Sequence, residues 1–197
     1  MVKSAISNRT KLIVLEGLPG SGKTRHIEFL SKHSYKIIKE IALKPPKALG
    51  EAFFLKNDIE KYKLVPPKGI IVMDRNYAST LAYNFSMLLN SDFAFFDVLR
   101  WYLSAKKYGK IWQPYSYIYI KTPIKESLKR KKRKIAHPAW SDPAKLRMMT
   151  LFYWFFFTVV ERRVNVIDGI ASIATQRKEL LAFLHKIKSQ RNPLDYN

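Results

Sequence analysis

The chain reads as an α/β fold, a five-stranded parallel sheet with helices on both faces. Two observations predict it. Short apolar runs alternate along the sequence with segments of helical periodicity, and strands connected through helices pair in parallel and are covered on both faces. The first apolar run, Leu12-Ile13-Val14-Leu15, leads into Gly17-x-x-x-x-Gly22-Lys23-Thr24, and a helical pattern follows at once.

Each element has its own local signal. Residues 11–15 form the first strand and 23–32 its helix. A short second strand at 35–39 ends at Glu40, and Lys44-Pro45-Pro46 marks a loop. Residues 51–63 suit a helix, which Pro66-Pro67-Lys68-Gly69 breaks. Ile70-Ile71-Val72-Met73 is the third strand, and 78–89 and 93–107 are two further helices. The fourth strand spans 116–120. Thr122-Pro123 then reads as an N-cap and first helical position, with the helix running to about Lys134. Two prolines make 137–143 a loop. A long aromatic helix at 144–160, a fifth strand at 164–167 and a last helix at 172–188 complete the chain. No linker or repeat divides it, so 1–197 is expected to be a single domain.

The glycine-rich loop carries a definite chemistry. Glycines allow backbone N–H groups to converge on an anionic oxygen, and the helix behind them adds its positive end. Gly17, Gly20, Ser21, Gly22, Lys23 and Thr24 are therefore the expected triphosphate cradle. Lys23 can reach the β- and γ-phosphates, and the Thr24 hydroxyl can hold Mg²⁺. Directly after the third strand stands Asp74-Arg75-Asn76-Tyr77-Ala78-Ser79-Thr80-Leu81-Ala82-Tyr83. Residues just past the C-terminal end of a parallel strand face the ligand crevice. There Asp74 can orient the Mg²⁺ shell and Arg75 can clamp phosphoryl oxygens. The competing reading makes Asp74 a helix cap and Arg75 a surface residue.

Composition sets the outer limits. Lys and Arg number 36 against 15 Asp and Glu, a net charge of +21, which suits polyanionic ligands and also serves solubility. With no cysteine, thiolate zinc sites and disulfides are excluded, and the four histidines show no metal spacing. No secretory signal is visible at the start of the sequence, and the longest apolar stretch, 151–160, is too short to span a bilayer, so a cytoplasmic location is expected. The six consecutive basic residues Lys129-Arg130-Lys131-Lys132-Arg133-Lys134 have three readings. They form a lid that closes over donor phosphates, a nucleic-acid patch, or a solvated face. The aromatic run 152–157 is read as core packing or a homodimer interface rather than a base-stacking platform.

The chain resembles the thymidylate kinase-like group of P-loop kinases. The resemblance rests on Glu16-Gly17-Leu18 in the phosphate loop, Asp74-Arg75, Ser79-Thr80, Ala82-Tyr83, Leu128-Lys129-Arg130 in the basic lid (about 129–143), and Val166-Ile167-Asp168-Gly169. It implies a three-layer P-loop kinase fold and phosphoryl transfer from ATP, with Mg²⁺, to a nucleotide-like small molecule. It implies Arg130 and Arg133 as charge-neutralising lid residues and Asp168 on the ATP side. Lys61, Ser79, Thr80 and Tyr83, with Arg75, would contact the acceptor. The departures all lie on the acceptor side: Pro19 inside the loop, Asn84 after Ala-Tyr, and Lys39-Glu40-Ile41 where the family shows Arg-Glu-Pro. Glu40 holds a place where deoxynucleoside kinases carry a base toward a hydroxyl. A monophosphate acceptor needs no base. The sequence thus favours a dTMP-like monophosphate, with a hydroxyl kinase using Glu40 as the alternative. A nucleic-acid-binding P-loop protein is the alternative of another class, although no recognisable nucleic-acid motif is present.

Overall fold

The computed structural model describes residues 10–46, 50–90, 92, 94–131 and 140–190. Five strands form one sheet: β1 (Thr10–Gly17), β2 (Lys36–Ile38), β3 (Gly69–Asp74), β4 (Ser116–Lys121) and β5 (Val164–Asp168). Their order is β2-β3-β1-β4-β5, and every pairing is parallel. The switch in strand order at β1 opens a crevice beyond its C-terminal end, where α/β sheets bind ligands.

Period-2 alternation divides the buried residues between two cores. Leu12, Val14, Ile71, Met73, Tyr117 and Tyr119 face one side. There they meet α2 (Glu51–Lys63), α3 (Tyr77–Met87), α4 (Ala94–Lys107) and α6 (Pro143–Phe155). Ile13, Leu15, Val72, Ile118, Ile120 and Ile167 face the other. They pack on Leu30 of α1 (Lys23–Lys32) and on Leu180, Leu184 and Ile187 of α7 (Ile173–Ser189). Both faces of the sheet are covered, as the alternating pattern requires. α5 (Ile124–Lys131) follows β4.

Several local expectations change in the structure. Asp74 does not cap α3; the cap is Asn76, whose Oδ1 accepts from the Ala78 N–H at 2.9 Å. Thr122 makes no cap bond either, its hydroxyl being buried with no hydrogen-bond partner among the described residues. Pro143, expected in a loop, is the first residue of α6, and Asp142 caps that helix through the Ala144 N–H at 2.8 Å.

The aromatic helix is not apolar all round in its packing. Phe152, Tyr153 and Phe156 are buried, whereas Leu151, Trp154, Phe155 and Val159 stand exposed. It ends in a π-helical turn, Phe156–Val160, closed by the Glu161 N–H on the Phe156 carbonyl at 2.8 Å. The wider turn sets Phe156 and Phe157 side by side against β4, with Tyr117 contacting both rings, at 5.8 and 5.2 Å. Sequence periodicity assumes a constant 3.6 residues per turn and cannot foresee this.

Candidate active site

The phosphate loop begins where β1 stops. Gly17 lies at φ +151°, and a Cβ there would meet the Ile120 carbonyl oxygen and Ser21 Oγ, each at 2.8 Å, so the loop closes tightly against β4. Gly22 caps α1 at φ +100° with open space around it, a conformation that leaves the helix N-terminus uncrowded. Ser127 of α5 donates a hydrogen bond to the Pro19 carbonyl, so Pro19 is anchored from outside the loop.

Lys23 folds back over this loop. Its Nζ donates to the Gly17 carbonyl at 2.7 Å, to the Leu18 carbonyl at 3.0 Å and to Ser21 Oγ at 3.2 Å. Burial, with Arg75 adding to it, pushes the amine down to about 7, against the pull of Glu16 and Asp74. The lysine is thus a poorly solvated cation waiting for a stronger anionic partner.

β3 runs beside β1 with Leu15 opposite Asp74, so the Asp-Arg turn lands next to the loop. Arg75 takes φ +60°, rare for a residue with a side chain. Two features hold it there: its N–H donates to the Leu15 carbonyl at 3.1 Å, and Lys61 Nζ donates to the Asp74 and Arg75 carbonyls at 2.7 and 2.6 Å. Lys61 is buried; burial pushes its amine down, and Asp58 and Asp74 oppose this. Its place in the structure is as a clamp on the turn that presents Arg75.

The Arg75 guanidinium lies between two carboxylates. Its Nε faces Glu40 Oε1 at 3.0 Å, a charge contact rather than an aligned hydrogen bond. Its Nη1 donates to Ser79 Oγ at 2.8 Å, and Ser79 in turn donates to Glu16 Oε2 at 2.5 Å. Glu16 is wholly buried and also accepts from the Asn76 N–H at 3.0 Å and the Tyr153 hydroxyl at 3.0 Å. Burial works against the charge of Arg75, but Glu40, Tyr153 and Glu16 outweigh it and hold the guanidinium firmly protonated. Asp74 Oδ1 is buried with no hydrogen-bond partner among the described residues, and burial pushes this carboxyl up. Asn57 of α2 fixes the segment that carries Glu40. Its Oδ1 accepts from the Ala42 and Leu43 N–H groups at 2.8 and 3.2 Å, and its Nδ2 donates to the Glu40 carbonyl at 2.8 Å.

The structure therefore brings together Lys23, Glu40, Lys61, Asp74, Arg75 and Ser79 of the expected site. Thr80, one residue beyond Ser79, turns away to Asp58 at 3.1 Å, and Tyr83 is half-buried against the core of that side. Arg130 stands elsewhere: its Nε donates to Glu126 at 2.8 Å and its Nη2 to the Gly169 carbonyl at 2.9 Å. Asp168, at the end of β5, accepts from the Ile170 N–H at 3.0 Å. Arg133 and most of the expected lid lie outside the described residues. Sequence reasoning missed Tyr153, Asn57 and Asn76. Tyr153 was indistinguishable from its aromatic neighbours, and a carboxylate at the end of a buried strand, Glu16, was the one signal that a buried partner existed.

The glycine loop after β1, the Asp-Arg turn after β3 and the order β2-β3-β1-β4-β5 make up a fold that solved kinases share. Deoxyadenosine kinase from M. mycoides, solved with bound dATP, shares it at a TM-score of 0.69 and 17% identity, over 88% of this chain and 98% of that one. Thymidylate kinase from Candida albicans shares it at 0.65 and 17% identity, over 91% and 93%. No protein-family model and no curated protein sequence matches the chain. The likeness is accordingly one of fold.

Proposed function

We propose that the chain transfers the terminal phosphoryl group of ATP to the hydroxyl of a nucleoside-type acceptor. The observation that carries the reading is the Glu40 carboxylate, 3.0 Å from Arg75 Nε in the crevice beside the phosphate loop. The guanidinium holds the Glu40 carboxylate in place and Asn57 fixes its backbone, so an acceptor oxygen is set at one point of the crevice. A phosphate acceptor brings its own nucleophilic oxygen and makes no use of such a group.

The residues present suit both expected ligands. The orphaned Asp74 Oδ1 and the Thr24 hydroxyl are hard oxygen donors beside the loop, which is the chemistry Mg²⁺ requires. ATP with Mg²⁺ supplies the group to be transferred and neutralises its charge. Lys23 exchanges its carbonyl partners for phosphate oxygens, and the loop N–H groups line the same site. Arg75 orients the transferring group while Glu40 takes the hydroxyl proton. Arg130 and Arg133 are proposed for the donor side of the lid, with Asp168 near the nucleotide base. Ser79 and Tyr83 are proposed to shape the acceptor side directly, Thr80 only through its bond to the buried Asp58, and Lys61 by holding the Arg75 turn.

A dTMP-like acceptor is the second reading. It rests on Arg75, which could take a phosphate in place of Glu40, and on the Ser-Thr and Ala-Tyr residues that follow. An ATP-consumption screen of nucleosides and nucleoside monophosphates separates the two, repeated with Glu40→Gln. The hydroxyl reading expects turnover of a nucleoside that falls by about 10² in the variant with ATP affinity unchanged. Turnover of a monophosphate that survives Glu40→Gln selects the second reading.

A further inference from the structure

A cavity of about 720 Å³ lies beside α2, and none of its lining residues belongs to the phosphate loop. Its walls are apolar and aromatic: Leu43, Ile59, Val65 and Trp112, with Tyr62 closing the inner end. Tyr62 and Trp112 meet edge to face at 4.7 Å, so the end wall is rigid. Three lysines, Lys56, Lys63 and Lys110, stand around the opening. A single carboxylate joins them, Glu60, and Lys63 already neutralises it at 2.6 Å. Lys56 and Lys110 have no ion-pair partner among the described residues. The cavity is therefore an apolar chamber with uncompensated positive charge at its mouth.

We propose that this cavity binds a small amphipathic anion: an apolar or aromatic body with one carboxylate, sulfonate or phosphate at its end. The volume lies in the range of small-molecule sites, about 300–1,000 Å³. The apolar wall takes the body and excludes water, while the long lysine side chains reach the anionic end and remain partly solvated. A neutral apolar ligand would leave the rim charges unused, and a polyanion would find no place in the chamber.

Two walls connect the cavity to the candidate active site. Leu43 is held with Glu40 by the same Asn57 side chain, and the Tyr62 hydroxyl accepts from Asn76 Nδ2 at 3.2 Å, next to Arg75. A body seated against Leu43 and Tyr62 restrains both segments. The cavity thus provides a second binding site that tightens the Glu40 segment from behind.

Dodecanoate, kept below its micelle concentration, is a suitable probe in titration calorimetry. Saturable one-site binding is expected, at least about tenfold weaker in Ile59→Trp, which fills the chamber, and in the surface double variant Lys56→Glu/Lys110→Glu. The surface variant keeps the test open should Ile59→Trp fail to fold. Trp154→Ala, on the exposed face of α6, should leave binding unchanged. Hydrogen exchange at the Ala42 and Leu43 amides should slow when the probe is bound, a readout that needs no turnover. Binding lost in Trp154→Ala and kept in both cavity variants would overturn the proposal, as would the absence of saturable binding or unchanged exchange at those amides.

Discussion

Lys23 shows how much a single buried charge is worth. Its three hydrogen bonds are all to neutral oxygens, while burial depresses its pKa to about 7. In the unfolded chain an ordinary lysine stays protonated to about 10.4. Between these values the unfolded state binds more protons than the folded one, so folding stability from this group rises with pH. Below about 7 the full cost of the buried cation is present. Lys23→Met should therefore raise Tm at pH 6–7 by several degrees, with the gain shrinking toward pH 10 in a series of thermal melts. The same variant should lose phosphoryl transfer by about a hundredfold or more, roughly 3 kcal/mol of transition-state stabilisation. A variant that gains stability and loses activity identifies a residue selected for the site rather than for the fold. The place of Lys23 at the end of the glycine loop was legible from spacing alone. Its bonds to the loop carbonyls were not, because they depend on the loop's positive-φ glycines.

At the scale of elements, α6 and β1 are joined through a hydroxyl. Tyr153 of α6 reaches Glu16 of β1, which steadies Ser79 and through it Arg75. Tyr153→Phe removes one donor from a wholly buried carboxylate, a cost of about 1–3 kcal/mol. We expect Tm to fall and turnover to drop about tenfold with the KM for ATP little changed, since the phosphate loop itself is untouched; a matching rise in that KM would argue against a role in positioning Arg75. The turn after β5 is a second junction. A Cβ at Gly169 would lie 2.0 Å from Thr122 Oγ1 and 2.9 Å from the Lys121 carbonyl oxygen. Gly169→Ala must then separate β5 from the start of the α5 connection. A loss of about 2 kcal/mol would lower Tm by roughly 4–8 °C in a domain of this size, measurable by differential scanning calorimetry. Element order and type were readable because each strand is a short apolar run bounded by glycine, proline or charge. Element ends were not, because a cap such as Asn76 competes locally with an equally plausible neighbour, Asp74.

Across the whole molecule, the net charge of +21 has to be separated from the site. No helix among the described residues is long and apolar enough to cross a membrane. Surface cations attract any polyanion, but the attraction between exposed groups decays within a Debye length, about 8 Å at physiological salt. Binding to a 20-base-pair DNA duplex is expected at low salt and should fall steeply between 50 and 200 mM, with no preference for sequence or for single strands. The proposed ATP binding, with the buried Lys23 as a donor, should fall far less over the same range. Fluorescence anisotropy with labelled duplex and labelled ATP analogue measures both. Tight duplex binding that survives 200 mM salt would instead support a nucleic-acid role for the basic surface.

The sequence by itself determined the alternation of strands and helices, the parallel sheet, the phosphate loop and the Asp-Arg turn. All of these are local patterns, written in residues that are neighbours in the chain. Tertiary structure alone decided which groups converge at Arg75. Glu16 comes from β1, Glu40 from the segment after β2, Ser79 from α3 and Tyr153 from α6, and their meeting depends on the strand order and on the faces that α3 and α6 bury. It also decided that Lys61 clamps the Arg75 backbone and that Thr80 points away. Successive helical residues diverge by about 100°, so one step along α3 separates the charge network at Ser79 from the buried Asp58 behind it. Hydrophobic periodicity reports which face of an element is buried. It carries no information about which buried polar groups will find one another, and the network around Arg75 is built from such pairs.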